Sequence, residues 1–359
     1  MRCCIKSSRT DRPKLIILFG PTGVGKTDIL DRLFSDRARL KAVDGSLPCV
    51  EVISADALQI YRDLDIGTAK PEADLLSRIP HHLINILNYN ESFSAGEFVS
   101  RTDALIPQIL HRGSLPVISG GSAFYIRSWL MGLPPTPPVN PAIRKKIEEQ
   151  WRTRRDEEIH AALSEIDPKS ALRISTKDRY RMLRALEVYS QTNRPLSDIQ
   201  VPSQPHRNYR TLIIGLHRDR KELYQRINDR VDRMIDAGLE AEVAALRFQG
   251  ARLEHPGMKG IGYREWFTQS SPQSIADLIA RNTRRYAKRQ ITFFSSLEGV
   301  HWFDAAEPLE ISGLRQTIAD FLKGESNTLD QEAMGEDNPR MLVRMASSPT
   351  KAIEHEEIP

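Results

Sequence analysis

Four short apolar runs recur along the chain, and segments with a helical spacing of apolar residues lie between them. The runs are LIILF at 15–19, CVEVIS at 49–54, LPVISG at 115–120 and TLIIGL at 211–216. Apolar runs that alternate with helical segments are typical of strands buried in a parallel sheet. The pattern therefore predicts an α/β fold in which helices flank a parallel sheet.

A proline-rich segment interrupts this alternation. GLPPTPPVNP at 132–141 contains five prolines, and only helical patterns follow until VPSQPH at 201–206. Proline clusters mark the boundaries of structural segments. We predict a core formed by residues 13–131 and 207–324, a helical insertion at 132–206, and a disordered tail at 325–359, where the hydrophobic pattern ends.

The composition adds limited information about partners. The 359 residues are 40% hydrophobic and carry a net charge of +4, and three cysteines without CxxC spacing indicate neither a disulfide framework nor a zinc site. The tail holds eight acidic and three basic residues, a net −5, which leaves +9 for residues 1–324. That surplus is compatible with a polyanionic partner and equally with an ordinary basic protein. No apolar stretch approaches the roughly 20 residues of a membrane span, so we expect a cytoplasmic protein without membrane contact.

The first strand runs directly into a glycine-rich turn. Its residues fit the pattern G-x-x-x-x-G-K-[ST] and are Gly20, Pro21, Thr22, Gly23, Val24, Gly25, Lys26 and Thr27. Between a strand and a helix predicted at 27–34, this pattern predicts that backbone N–H groups and Lys26 bind a phosphate, with Thr27 as a candidate Mg²⁺ ligand. No later strand ends in the aspartate that an ATPase or GTPase would use for the metal, which weakens those two classes.

Asp56 follows the second strand, at the edge of the sheet where α/β proteins bind ligands. There it is a candidate general base that takes a proton from a nucleophile attacking beside the bound phosphate. Aspartate is also a preferred N-cap for the helical pattern ALQIYRDL at 57–64. The residues themselves leave both interpretations open.

Basic residues form three rows at helical spacing. The longest row falls within an arc of roughly 140° at about 100° per residue. Its members are Arg281, Arg284, Arg285, Lys288 and Arg289, and the shorter rows are Arg226, Arg230 and Arg233, and Arg181 with Arg184. Nucleic-acid phosphates, a diphosphate with Mg²⁺, or acidic neighbours would each compensate such charges, and a single row is usually a solvated face.

Several stretches together resemble one family, the tRNA dimethylallyltransferases. They are GPTGVGKT, ADALQIYRDLDIGTAKP, HHLINI, FSAGEF, SGGSAFYIRSWLMGL, RALEVY, DAGLEAEVAAL, GIGYRE and YAKRQITFF, in the family's order between residues 13 and 304. The resemblance implies a P-loop, nucleotide-kinase-like fold with an inserted helical subdomain. It also implies transfer of a dimethylallyl group from dimethylallyl diphosphate to N6 of adenosine 37, next to the tRNA anticodon.

The resemblance implies roles for individual residues of the core. The phosphate loop would hold the diphosphate, with Mg²⁺ on Thr27 as cofactor. Asp56 would take the N6 proton of an adenine flipped out of the anticodon loop. Thr22 and Arg230 would stabilise the charge that grows on the leaving diphosphate. We expect the protein to act as a monomer.

Further residues are implied in binding the tRNA anticodon stem-loop. They are Asp56, Ala57, Leu58 and Gln59 around the target base; Ser122 and Arg144 near the channel; Tyr180, Arg181, Met182, Leu183 and Arg184 in the insertion; and Lys259, Gly262, Tyr263, Arg264, Lys288, Arg289 and Gln290 in the second half of the core. Their basic members would position RNA phosphates, and base identity would be recognised on splayed-out bases.

Four positions depart from the family's pattern. Ala57 stands where serine is usual, Ser122 where threonine is more common, Asn85 where aspartate is frequent, and Ser295 where a basic or bulky residue is usual. None is an implied catalytic residue, so we expect the chemistry to be kept. The alternatives are a P-loop kinase that phosphorylates a small-molecule hydroxyl, a non-catalytic RNA-binding protein, and, within the family, prenylation of a free adenine nucleotide.

Overall fold

The computed structural model describes residues 12–35, 49–137, 139–199, 208–268 and 271–324. The described chain divides into two compact units. Unit 1 comprises the described residues up to Leu130 and from 208 onward, and unit 2 comprises the described residues of 131–199. The tail predicted at 325–359 lies outside the described residues.

Unit 1 is built on a six-stranded parallel sheet with the order β3-β2-β4-β1-β5-β6. The strands are β1 (Lys14–Phe19), β2 (Val50–Ser54), β3 (His81–His82), β4 (Leu115–Gly120), β5 (Arg210–His217) and β6 (His301–Asp304). The predicted parallel α/β fold is therefore confirmed, and the four predicted strands are β1, β2, β4 and β5. Two short strands at the edges of the sheet, β3 and β6, were not predicted.

Helices flank the sheet of unit 1 and form the regular structure of unit 2. They are α1 (Lys26–Phe34), α2 (Ala73–Arg78), α3 (Ala95–His111), α4 (Ala123–Met131), α5 (Pro141–Trp151), α6 (Asp156–Ile166), α7 (Pro168–Arg173), α8 (Arg179–Thr192), α9 (Arg220–Asp236), α10 (Leu239–Phe248), α11 (Pro272–Phe294) and α12 (Pro308–Lys323). Short 3₁₀ turns lie at Leu196–Asp198, Pro256–Lys259 and Arg264–Phe267.

The core of unit 1 forms where apolar faces of helices pack on the central strands. Ile16 and Leu18 of β1 share one buried cluster with Leu30 of α1, Leu223 of α9 and Leu314 of α12. Burying side chains of this kind supplies the main driving force for folding. Because β1 lies between β4 and β5, the segment that follows it leaves from the centre of the sheet.

Unit 2 is entirely helical in its regular structure. Helices α5, α6 and α8 pack around a buried cluster that includes Ile147, Ile159, Leu163 and Met182. The buried Asp167 carboxylate joins two segments of this unit, because it accepts hydrogen bonds from backbone N–H groups at the start of α7 and near the 3₁₀ turn at 196–198.

The sheet order brings three segments to one edge. β2, β4 and β1 are neighbours, and the chain leaves them at Ala55, Gly121 and Gly20 respectively. The backbones cross so closely that a Cβ on Gly120 would lie 2.0 Å from the carbonyl oxygen of Ala55. A side chain at Gly120 is therefore excluded, and the ends of these strands lie tightly together.

Candidate active site

The glycine-rich turn after β1 folds as a phosphate loop. Gly23 and Gly25 have φ angles of 81° and 107°, which L side chains adopt only with strain. The Lys26 ammonium donates to the carbonyl oxygens of Gly20 (2.9 Å) and Pro21 (3.1 Å). The loop ends in α1, whose first N–H groups and dipole favour an anion.

Three charged groups interact at the carboxyl ends of the central strands. Burial lowers the pKa of Lys26 to about 8, against the charge of Asp56, which raises it, while Arg230 lowers it further. Burial also lowers the pKa of the Arg230 guanidinium, again against the charge of Asp56. The site thus places two partly desolvated cations near one carboxylate.

Asp56 is held by the turn that follows β2. Its Oδ1 accepts hydrogen bonds from the backbone N–H groups of Leu58 (2.9 Å) and Gln59 (3.2 Å). The helix expected at 57–64 is wrong, since these residues form turns. The backbone of residues 59–62 instead bonds to residues 85–87, so it is not available for helical hydrogen bonds. Asp56 therefore does cap backbone N–H groups, and these contacts to Oδ1 fix the orientation of its carboxylate.

Ser122, at the end of β4, supports the same turn. Its hydroxyl accepts a hydrogen bond from the Ala57 N–H (3.0 Å), and its own N–H donates to the Ala55 carbonyl (3.0 Å). The hydroxyl kept at position 122 thus stabilises the segment carrying Asp56. The missing hydroxyl at position 57 leaves this backbone contact intact.

Gln290 links the phosphate loop to β4 from α11. Its side chain is 2% exposed; its Oε1 accepts from the Thr22 N–H (2.8 Å) and its Nε2 donates to the Gly121 carbonyl (2.6 Å). One turn further along α11, the ring of Phe294 stacks on Phe19 of β1 at 4.4 Å between centroids. Sequence analysis assigned Gln290 only to RNA binding and did not predict this link.

The second basic row, on α9, faces the phosphate loop. Arg226 Nε donates to the Gly23 carbonyl (3.0 Å), and Arg230 Nη2 donates to the carbonyl of Thr68 (3.2 Å) in the GTAKP stretch. Arg233 instead bonds to the backbone of its own helix and is exposed. The structure therefore brings Arg230 together with Asp56 and Lys26, as the resemblance implied.

Gln59 connects the Asp56 turn to the same stretch. Its Nε2 lies 3.4 Å from the carbonyl oxygens of Thr68 and Ala69. The neighbouring Lys70 ammonium donates to the Tyr61 carbonyl and to side-chain oxygens of Asp65 and Asn85. With asparagine at 85, this buried ammonium faces one carboxylate and one neutral amide.

The predicted RNA-binding residues of unit 1 differ in exposure. Arg264 and Lys288 are exposed, and Lys259 and Arg289 are partly exposed. Tyr263 is fully buried, and its hydroxyl donates to Glu242 (2.7 Å); Gly262 beside it has a φ of 104°. In the longest basic row, Arg284 donates to Asn228 of α9 and Arg289 lies over the Tyr286 ring.

The predicted RNA-binding residues of unit 2 form a charged cluster. Arg144 lies over the Tyr180 ring (5.4 Å) and pairs with the buried Glu187 carboxylate (3.3 Å), which also pairs with Arg184 (2.7 Å). Arg181 pairs with Asp178 at the start of α8. Met182 is buried and Leu183 is partly buried. Acidic neighbours thus compensate part of this row, while Tyr180 stays more than half exposed.

Few side chains in the described segments are placed to bind a metal ion. Within the described segments, no three His, Cys, Asp or Glu side chains cluster as metal ligands. The Thr27 side chain is exposed in the first turn of α1, next to Lys26. This fits Mg²⁺, which is commonly bound by few protein groups together with phosphate oxygens and water. None of the helices in the described segments is long and apolar enough to cross a membrane.

Comparison with known proteins identifies similar chains over most of the length. A family model described as IPP transferase matches residues 59–297. The tRNA dimethylallyltransferase of Alkaliphilus oremlandii is 37% identical over 323 residues, which cover 89% of this chain and 100% of that protein. The tRNA dimethylallyltransferase 1 of Citrifermentans bemidjiense is 40% identical over 298 residues, covering 81% of this chain and 92% of the relative.

Solved structures show the same similarity. The tRNA isopentenylpyrophosphate transferase of Bacillus halodurans matches with a TM-score of 0.62 and 34% identity, over 88% of this chain and 98% of that one. A eukaryotic dimethylallyltransferase acting on tRNA matches with a TM-score of 0.69 and 25% identity, over 93% of this chain and 84% of the other.

Proposed function

The chain belongs to the IPP transferase family, and on that premise we propose that it transfers a dimethylallyl group from dimethylallyl diphosphate to the N6 amine of the adenosine next to a tRNA anticodon. The relatives compared above are named as tRNA-modifying transferases, which supports this function and not the kinase alternative. The single observation that carries the proposal is the grouping of Asp56, Lys26 and Arg230 at the phosphate loop.

Asp56 is the proposed general base. One carboxylate oxygen is occupied by the backbone N–H groups of Leu58 and Gln59, which fixes the group and leaves the other oxygen for the N6 proton. In the proposed step, the bond between C1 of the allyl group and its diphosphate oxygen breaks, and a bond from C1 to N6 forms. The bonding electrons leave with the diphosphate, and the N6 proton moves to Asp56.

The charge that develops on the leaving diphosphate falls on the phosphate loop. Lys26, Arg230 and the loop N–H groups are cations and donors in a partly desolvated site, where they stabilise an anion more strongly than in water. Mg²⁺, when bound by Thr27 and the phosphate oxygens, would neutralise further negative charge. Thr22 would contribute its hydroxyl, since its N–H is bonded to Gln290.

RNA binding is proposed for the exposed basic residues of both units. In unit 1 they include Arg264 and Lys288, and in unit 2 the Arg144–Tyr180 pair offers a cation over an exposed ring. Guanidinium groups bind RNA phosphates, and aromatic rings stack on unpaired bases. We propose that the enzyme acts as a monomer in the cytoplasm, where its tRNA substrate is found; size-exclusion chromatography with light scattering tests the monomeric state.

The decisive experiment measures transfer of labelled dimethylallyl diphosphate to an unmodified anticodon stem-loop RNA with Mg²⁺. Asp56→Asn keeps an oxygen for the backbone contacts and removes the base, so turnover should fall by about 10²–10⁴-fold while RNA binding is retained. Asp63→Asn is the matched control, because Asp63 is exposed and asparagine tolerates its left-handed φ of 63°. Absence of labelled RNA from the wild-type reaction, with Mg-ATP consumed on a small acceptor, would instead establish a kinase.

A further inference from the structure

One carboxylate of α10 binds two segments that are distant in sequence. Glu242 Oε2 accepts from the backbone N–H groups of Asp65 (3.1 Å) and Ile66 (2.8 Å). Its Oε1 accepts from the Gly67 N–H (3.2 Å) and from the Tyr263 hydroxyl (2.7 Å). Four donors thus share one carboxylate, an arrangement in which each hydrogen bond is charge-assisted.

The three backbone donors belong to the turn at 65–70, whose carbonyls face the active site. One residue after the last donor, the Thr68 carbonyl accepts from Arg230 (3.2 Å) and from Gln59 (3.4 Å). The Thr68 hydroxyl donates back to the Leu64 carbonyl (2.6 Å), so the turn is closed on itself. The orientation of Arg230 therefore depends on where this turn lies.

Close packing leaves the turn few other positions. A Cβ on Gly67 would lie 2.6 Å from Cζ of Tyr263, so the ring rests directly on the glycine backbone. Tyr263 is fully buried, and burial together with the charge of Glu242 raises the pKa of its hydroxyl. The phenol stays protonated and remains a donor to Glu242 throughout the neutral range.

Arg230 and Asp56 interact through their charges without direct contact. In the described part of the chain, no ion pair within 4.0 Å joins them, although burial lowers the pKa of Arg230 and the charge of Asp56 opposes that lowering. If the Thr68 carbonyl moved, the Arg230 guanidinium would lose its acceptor, and the Asp56 carboxylate would compete for it. A direct pair with Arg230 would make Asp56 a weaker proton acceptor.

We propose that Glu242 is a positioning residue for the transfer reaction, because it fixes the turn whose Thr68 carbonyl holds Arg230 at the diphosphate site and away from Asp56. This inference rests on the proposed function, in which Arg230 stabilises the leaving diphosphate. Glu242 lies in the DAGLEAEVAAL stretch of the resemblance, where sequence analysis assigned it no role.

The test compares steady-state transfer by wild type and by Glu242→Gln. The amide keeps the shape and turns an NH₂ group toward the donors, so kcat should fall by about 10–100-fold with the KM for RNA within twofold. Glu240→Gln is the matched control, because Glu240 is an exposed residue of the same helix, and its kcat should be unchanged. If the wild type transfers the group and Glu242→Gln has the same kcat, this inference alone is overturned. If the wild-type enzyme itself shows no transfer, the proposed function is overturned.

A double-mutant cycle separates positioning from a merely structural role. If Glu242 acts through Arg230, the kcat of the Glu242→Gln/Arg230→Met enzyme should be within threefold of the kcat of Arg230→Met. If the two residues act independently, the two losses of kcat should multiply. Should Glu242→Gln fail to fold, Tyr263→Phe removes one of the four donors without creating a buried charge. Its kcat should fall about two- to fivefold, and a changed KM for RNA at constant kcat would overturn the inference.

Discussion

Lys26 should make diphosphate binding dependent on pH in the alkaline range. Its pKa is lowered to about 8, chiefly by burial, so the ammonium loses its proton as the pH rises through 8. At pH 7 about nine-tenths of the free enzyme carries the cation, and at pH 9.5 only about 3% does so. If only the cationic form binds, the affinity for dimethylallyl diphosphate falls about 30-fold between these values, which is about 2 kcal/mol.

The same linkage predicts proton uptake. A bound diphosphate stabilises the ammonium, so binding at pH 8 should take up about half a proton per site. Isothermal titration calorimetry in two buffers of different ionisation enthalpy measures this number directly. Equilibrium dialysis with labelled dimethylallyl diphosphate from pH 7 to 9.5 gives the affinity profile.

The matched control is Lys26→Arg, which keeps a cation throughout this range because the guanidinium does not deprotonate. Its affinity is expected to be lower overall, since a planar guanidinium does not reproduce the contacts to the Gly20 and Pro21 carbonyls, and its profile should be flat. A flat profile in wild type, or an equal fall in Lys26→Arg, would refute the assignment of this titration to Lys26.

Three further predictions concern stability. Gly120→Ala should prevent folding of unit 1, because its Cβ would lie 2.0 Å from the Ala55 carbonyl oxygen; a circular dichroism spectrum like that of wild type would contradict this. Gln290→Met should lower the free energy of unfolding, measured in urea, by about 2–3 kcal/mol, since it leaves the Thr22 N–H and the Gly121 carbonyl without their hydrogen-bond partner. Glu51→Gln should cost about 1–3 kcal/mol at pH 7, because it removes the carboxylate that pairs with the half-exposed Arg112. The hydrogen bond from Arg112 lowers the pKa of Glu51 to about 2. The contribution of the ionised carboxylate to the free energy of unfolding is therefore complete above pH 4.5 and is lost as the pH falls through 2. The loss of unfolding free energy in Glu51→Gln should accordingly be less than half as large at pH 3 as at pH 7.

The main architecture could be predicted because it depends on local patterns. β1, β2, β4 and β5 each contain a run of mostly apolar, buried residues, and such runs indicate strands buried on both faces. β3 has two residues and β6 has four, of which His301 and Trp302 are exposed, so neither produces an apolar run. Their places at the edges of the sheet follow from pairing with a neighbour, which the local pattern does not contain.

The candidate site was predictable where a motif carries the chemistry. The phosphate loop and Asp56 follow from local spacing, and Arg230 follows from the resemblance. The contacts of Gln290 with Thr22 and Gly121, and those of Glu242 with the turn at 65–67, join residues more than 150 positions apart, so no local pattern indicates them. The error at 57–64 has the same origin, since contacts with residues 85–87 override the helical preference of that segment.

The central position of β1 has a consequence during synthesis on the ribosome. β1 pairs with β4 on one side and with β5 on the other, and β5 begins at residue 210, whereas β4 ends at residue 120. At roughly 5–20 residues per second, this separation of about 90 residues takes roughly 5–18 s to translate. During that time one edge of an apolar strand has no native partner, and such edges are templates for aggregation. The nascent chain should therefore be most dependent on chaperones while residues 121–209 are being made, and slower translation of this segment should lower the yield of folded protein.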